Sequence, residues 1–153
     1  MMFDKILVAI DHSDASAAVF EKALNLAENN GSELMVQSVL APFDDMYPID
    51  PYIGFPTADV HRYLDNWHER EKTGLEKLKV LEKNAKAVGV SIEFTQSTGD
   101  PGKLICALSE TWNANLVIVG RRGLSSVSEF FVGSVSHYVL HHVSCDVLVI
   151  QSK

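Results

Sequence analysis

Three glycines, two arginines and a serine carry the strongest chemical signal in this chain. Gly120 is followed after two residues by Gly123, and after nine more by Gly133 and Ser134, with Arg121 and Arg122 between the first two glycines. A backbone that turns tightly at Gly120 and Gly123 exposes N–H groups. A helix beginning at Gly133 and Ser134 adds its own unpaired N–H groups and the positive end of its dipole. That is the chemistry of a phosphate cradle. The arginines either bring guanidinium charge to phosphate oxygens or simply point to water.

Other chemistries leave fewer traces. There is no GxxxxGK[ST] and no GxGxxG, so neither a P-loop lysine nor a dinucleotide fingerprint is present. His137 and His141 stand four apart, a spacing that can bind zinc, but no HExxH glutamate accompanies them, and a position on a helix surface is the expectation. No GxSxG elbow appears, no carboxylate pair sits at catalytic spacing, and no evident general base flanks the glycine loop. Ser134 fits a phosphate ligand better than a nucleophile, because nothing near it in sequence would activate its hydroxyl.

These residues need a scaffold, and the chain supplies one by alternation. Its 153 residues suit one domain, 1–153, able to bury about two-thirds of the surface exposed when unfolded. Hydrophobic residues at 46% and charged residues at 22% are globular values, which sets disorder aside. A formal charge of −7 argues against a nucleic-acid surface or an anionic membrane as partner, so any anion must be held locally. Cys106 and Cys145 lie far apart, outside any CxxC pattern, and read as buried thiols. With no secretion signal or bilayer-length apolar run in view, a cytoplasmic location is expected.

Residues 5–10 and 116–120 are continuous apolar runs, the pattern of strands buried on both faces of a parallel sheet. Strands are also expected over 32–41, 90–98 and 146–151. Helical spacing covers 13–31, with Ser13 as N-cap and Gly31 as stop, and 58–88, with Leu64, Trp67, Leu75, Leu78, Leu81 and Ala85 as its apolar stripe, Gly74 as its weak point and Gly89 as its end. A third helix starts at Asp100 as N-cap with Pro101 in its first turn, and a fourth runs over 133–143. Trp67 and Trp112 are expected in core packing. Residues 42–57, with Phe43, Tyr47, Tyr52 and Phe55, read as a loop that is either a lid or a neutral insertion. The fold class is α/β with a parallel sheet, and such sheets bind ligands at the carboxyl ends of their strands.

The complete Gly120-to-Ser134 spacing resembles the signature of the universal stress protein family in its ATP-binding subgroup. The likeness extends to "KILVAIDHS", "GDPGKLI" and "VSCDVLVI", and leaves only about 42–70 without a counterpart. It implies a Rossmann-like domain of five parallel strands in the order 3-2-1-4-5 with helices on both faces. It also implies an adenine nucleotide site: backbone near Ala9 and Val39 framing the base, Asp11 at the ribose or a metal, and Gly120, Arg121, Arg122, Gly123, Gly133, Ser134, Val135 and Ser136 lining the phosphates. ATP, with ADP or AMP as alternatives, and a bridging Mg2+ are the ligands implied. His12 departs from the small residue that many relatives carry after the aspartate.

A nucleotide-binding regulatory protein is the function expected, with a slow ATP hydrolase or phosphotransferase and a nucleotide-independent scaffold as the alternatives. The last strand, 146–151, is apolar on both faces and belongs at a sheet edge, where unpaired backbone invites a second copy of the chain. The resemblance implies pairing of this kind, and a homodimer is expected.

Overall fold

The computed structural model describes residues 2–11, 13–40, 57–121 and 133–151. His12, Arg122, Gly123 and the expected loop over 42–57, save Thr57, lie outside the described residues. Strands and helices alternate as β1 (Lys5–Ile10), α1 (Ala15–Asn30), β2 (Glu33–Leu40), α2 (Thr57–Ala87), β3 (Ile92–Thr98), α3 (Pro101–Thr111), β4 (Leu116–Arg121), α4 (Ser134–His142) and β5 (Asp146–Gln151). All five strands are parallel, in the order β3-β2-β1-β4-β5.

The continuous apolar runs bury both faces of the sheet, and successive side chains alternate between two cores. Ile6, Val8, Leu34, Val36, Leu116 and Ile118 pack with Val19, Phe20 and Ala23 of α1 and Leu78 and Ala85 of α2. Leu7, Met35, Val117 and Val119 pack on the opposite face with Ile105 of α3 and Val139 of α4. Asn115 closes the amino-terminal edge of the sheet. Its Oδ1 accepts from the backbone N–H groups of Asp4 at 3.0 Å and Lys5 at 2.8 Å, and its own N–H donates to the Lys5 carbonyl at 2.8 Å.

Three helix boundaries follow from capping chemistry. Asp100 accepts at Oδ1 from the Lys103 N–H at 3.1 Å, with Pro101 beside it where a missing N–H costs nothing. Gly31 and Gly89 take left-handed φ values of 68° and 81° just past α1 and α2. The expected N-cap of α1 needs correction. Asp14, not Ser13, holds that position, and α1 starts at Ala15. The Ser13 hydroxyl donates to the Asp11 carboxylate, which turns the side chain back toward the end of β1.

The stripe expected on α2 also shifts. Leu64 and Leu75 are 45% and 40% exposed. The positions turned inward are Trp67, Glu71, Gly74, Leu78, Leu81 and Ala85, at alternating steps of four and three, and Gly74 is buried among them. Gln96, near the end of β3, donates from Nε2 to the Glu71 carbonyl at 3.0 Å. Glu71 is therefore level with Gln96, two residues short of the end of β3, and residues 57–70 run on past that level for about 20 Å at roughly 1.5 Å per residue, overhanging the carboxyl edge of the sheet. On the overhang Trp67 stacks on Tyr63 at 6.4 Å, with the Arg70 guanidinium 5.7 Å from its ring. Trp67 is thus a residue of the overhang, whereas Trp112 packs against the second core as expected. No described helix is long and apolar enough to cross a membrane.

Candidate functional site

The middle strands part before they end. β1 pairs with β2 as far as Ile10 and Ser38, and β4 pairs with β5 as far as Arg121 and Gln151, but the ladder between β1 and β4 stops at Val8 and Ile118. Beyond those residues the two strands splay into a crevice. Ala9, Ile10 and Asp11 form one lip, and Val119, Gly120 and Arg121 form the other. This is the switch point of the sheet: the crossover from β1 lies to one side and that from β4 to the other.

Backbone groups released by the splaying must find other partners. The Asp11 N–H donates to Ser16 Oγ at 2.9 Å, and the Gly120 carbonyl accepts from Ser136 Oγ at 2.7 Å. Ser136 is 2% exposed, so this bond pins the first turn of α4 against the end of β4. Asp11 organises the β1–α1 turn around its carboxylate. Oδ1 accepts from the Ser13 N–H at 2.8 Å, from Ser16 Oγ at 2.7 Å and from the Ser13 hydroxyl. Its orientation is set by three local donors.

Val39 lies one step past the Ile10–Ser38 pair, level with Asp11 on the neighbouring strand, and is half-buried like Ala9. Gln37 pairs in register with Ala9 and is buried. Its Nε2 donates to the Leu104 carbonyl at 3.3 Å, while among the described residues its Oε1 has no partner. Arg121 is the last residue of β4 and is half-buried. Gly133 is the N-cap of α4 with no side chain to turn back onto the helix, unlike Asp100 on α3. Behind it Ser134 is exposed, and Val135 packs against the second core. Ala9, Asp11, Val39, Gly120, Arg121 and the Gly133–Ser136 turn thus share the carboxyl end of the sheet, and Arg122 and Gly123 lie outside the described residues.

Gly120 serves a different purpose from the tight turn expected of it. It is a strand residue, paired with Ile150, and its φ is not left-handed. A Cβ there would stand 3.0 Å from Val19 Cγ2, so glycine lets α1 close on the sheet. The roles of Ser16 and Ser136 were not legible in the sequence as such. The available signal was a small hydroxyl residue in the first turn of the helix that follows each of the two strands, Ser16 in α1 and Ser136 in α4.

His137 and His141 are exposed on α4, as expected, with ring centroids 4.5 Å apart. Among the described residues no group of three or more His, Cys, Asp or Glu side chains is placed to hold a metal.

Comparison with known proteins agrees with the architecture. The universal stress protein family model matches residues 2–151. Universal stress protein Sll1388 of Synechocystis is 36% identical over 158 residues, covering 99% of this chain and 99% of that protein. Among solved structures, universal stress protein UspA from Lactobacillus plantarum superposes with a TM-score of 0.78 at 23% identity, covering 98% of this chain and 99% of the other. A universal stress protein family protein from Arabidopsis thaliana, solved with AMP bound, gives a TM-score of 0.64 at 22% identity, covering 97% of this chain and 92% of the other. With a family match over nearly its whole length and the sheet order that the resemblance implied, this chain belongs to the universal stress protein family.

Proposed function

We propose that the chain binds an adenine nucleotide, ATP foremost and ADP or AMP within the same class, in the crevice between β1 and β4, and acts as a nucleotide-dependent regulatory protein of the stress response. The observation that carries this reading is the early end of the β1–β4 ladder, which opens the switch point where an α/β sheet binds ligands. Beside the opening, the first turn of α4 presents N–H groups with no side-chain cap from Gly133, a setting that favours phosphate. Arg121 adds charge at the same edge, and Ala9 and Val39 bound the space for the base. AMP in the Arabidopsis relative supports adenine as the base.

Among the described residues Asp11 is the carboxylate placed at the lip, and a hard oxygen donor of this kind suits Mg2+. Asp11 would help to hold such an ion directly or through a water, and the ion would offset phosphate charge there. The nucleotide acts by biasing the conformations of the surrounding loops and of a dimer formed through β5, the strand at the sheet edge.

Mass spectrometry of nucleotide released from freshly purified protein identifies the ligand, and calorimetry with ATP and magnesium tests the site. Gly133→Val places a branched side chain where phosphate must approach, and is expected to weaken binding by more than about tenfold. A folded Gly133→Val protein with unchanged affinity refutes the site. Phosphate release from ATP is expected well below about 1 s⁻¹, because binding groups are present and, among the described residues, none is assigned to orient water.

A further inference from the structure

The outer face of α4 carries a second constellation that the nucleotide reading does not use. His137 and His141 are one helical turn apart, both exposed, with ring centroids 4.5 Å apart and planes tilted by 58°. Backbone geometry fixes their spacing. The His137 N–H donates to the Gly133 carbonyl at 2.9 Å, and the Val143 N–H donates to the Val139 carbonyl at 3.1 Å, so the helix is hydrogen-bonded on both sides of the pair. The neighbouring histidine is engaged elsewhere. His142 lies 2.7 Å through Nδ1 from the Tyr138 carbonyl, and its ring stacks on Tyr138 at 3.8 Å with only 11° between the planes.

We infer that His137 and His141 form a chelating site for a borderline divalent cation, Zn2+, Ni2+ or Cu2+, with water completing the coordination shell. Each metal–nitrogen bond needs about 2.0–2.1 Å, so the two ligating nitrogens must come within roughly 3 Å of each other. Rings whose centroids are already 4.5 Å apart reach that separation by rotation about their side-chain bonds. The helix holds both ligands in place before the metal arrives, so the second bond forms without the entropy cost of bringing two free imidazoles together. Imidazole selects borderline cations over hard ones, which separates this site from the magnesium proposed at Asp11. The cation also ties one turn of α4 to the next, so its binding adds to the stability of the helix.

Nothing in this inference depends on a nucleotide, and the experiment is run without one. Calorimetry with zinc chloride on untagged protein in a non-coordinating buffer is expected to show one Zn2+ per chain. His137→Ala and His141→Ala should each weaken it by about tenfold or more, and His142→Ala should leave it within about twofold. All three side chains are exposed, so the variants keep the fold, and circular dichroism checks this. Magnesium at millimolar excess should not compete. Absence of zinc binding, or zinc affinity unchanged in the His137→Ala, His141→Ala double variant, overturns the assignment.

Discussion

Replacing Gly102 with alanine should destabilise this protein, although the same change favours most helices. Gly102 is the second residue of α3 and is buried. A Cβ built there stands 2.7 Å from Tyr138 Cδ1, 2.9 Å from Cγ and 3.1 Å from Cβ of α4. Carbons touch comfortably at about 3.5 Å, so the nearest approach falls short by about 0.8 Å. The near end of Tyr138 is what is struck, and its ring is held by the stack on His142, so relief requires α4 to move. Overpacking of this kind costs about 1–3 kcal/mol, and alanine returns at most about 0.5–1 kcal/mol of helix propensity at a position so near the helix start. The net loss should be about 1–2 kcal/mol, read by urea or thermal denaturation. A Tyr138→Ala background removes the two closest atoms and leaves only the Cβ at 3.1 Å, so Gly102→Ala should cost at least about 1 kcal/mol less there than in the parent protein. An equal cost in both backgrounds refutes the argument. Because α4 carries the Gly133–Ser136 turn, Gly102→Ala should also weaken adenine nucleotide binding.

Ser136→Ala removes the buried bond to the Gly120 carbonyl and should cost about 1–2 kcal/mol in denaturation together with a loss of nucleotide affinity; unchanged values for both refute its role as a pin. Arg121→Ala with Arg122→Ala should weaken ATP more than adenosine in calorimetry, since the guanidinium groups are assigned to phosphates, and equal losses count against that assignment. Leu148 of the edge strand is 39% exposed whereas Val149 packs into the second core, so Leu148→Lys is the change expected to shift a dimer to monomer in sedimentation without unfolding the chain. Burial raises the thiol pKa values of Cys106 and Cys145 above the ordinary range, with Glu110 and Asp146 respectively adding repulsion. Less thiolate is then present at pH 8, and alkylation of both should be slower than that of a small free thiol; equal or faster labelling refutes this.

Local patterns explain what could be read before the structure. "KILVAI" and "LVIVG" had no polar alternate positions, which only a strand covered on both faces tolerates, and β1 and β4 are those strands. Gly31, Gly89 and Asp100 act within a few residues of themselves, so their capping roles were visible in the sequence. Ser13 was misread because its side chain is turned back to a carboxylate two residues earlier, a contact that capping propensity does not record. Leu75 looked inward because it is apolar at roughly helical spacing. The facing line of α2 is set by contact with β3 and admits Glu71 and Gly74 instead. The early parting of β1 from β4 depends on residues more than a hundred positions apart, and no local signal in the chain encodes it.

The strand order also sets a schedule for the ribosome. β1, α1, β2, α2 and β3 form a contiguous half-sheet that emerges first, with β3 and β2 already beside β1. The other side of β1 stays an open edge until residues 116–121 follow, and α4 must come after them before the Ser136 bond can close. A nascent chain halted after β3 thus carries Asp11 and Val39 without the Gly133–Ser136 turn. It presents an unpaired apolar strand to its surroundings at the moment when such an edge is most open to wrong pairing. Under the proposed site no nucleotide can bind before α4 has emerged, and chaperone capture during translation should peak between the emergence of β3 and that of α4.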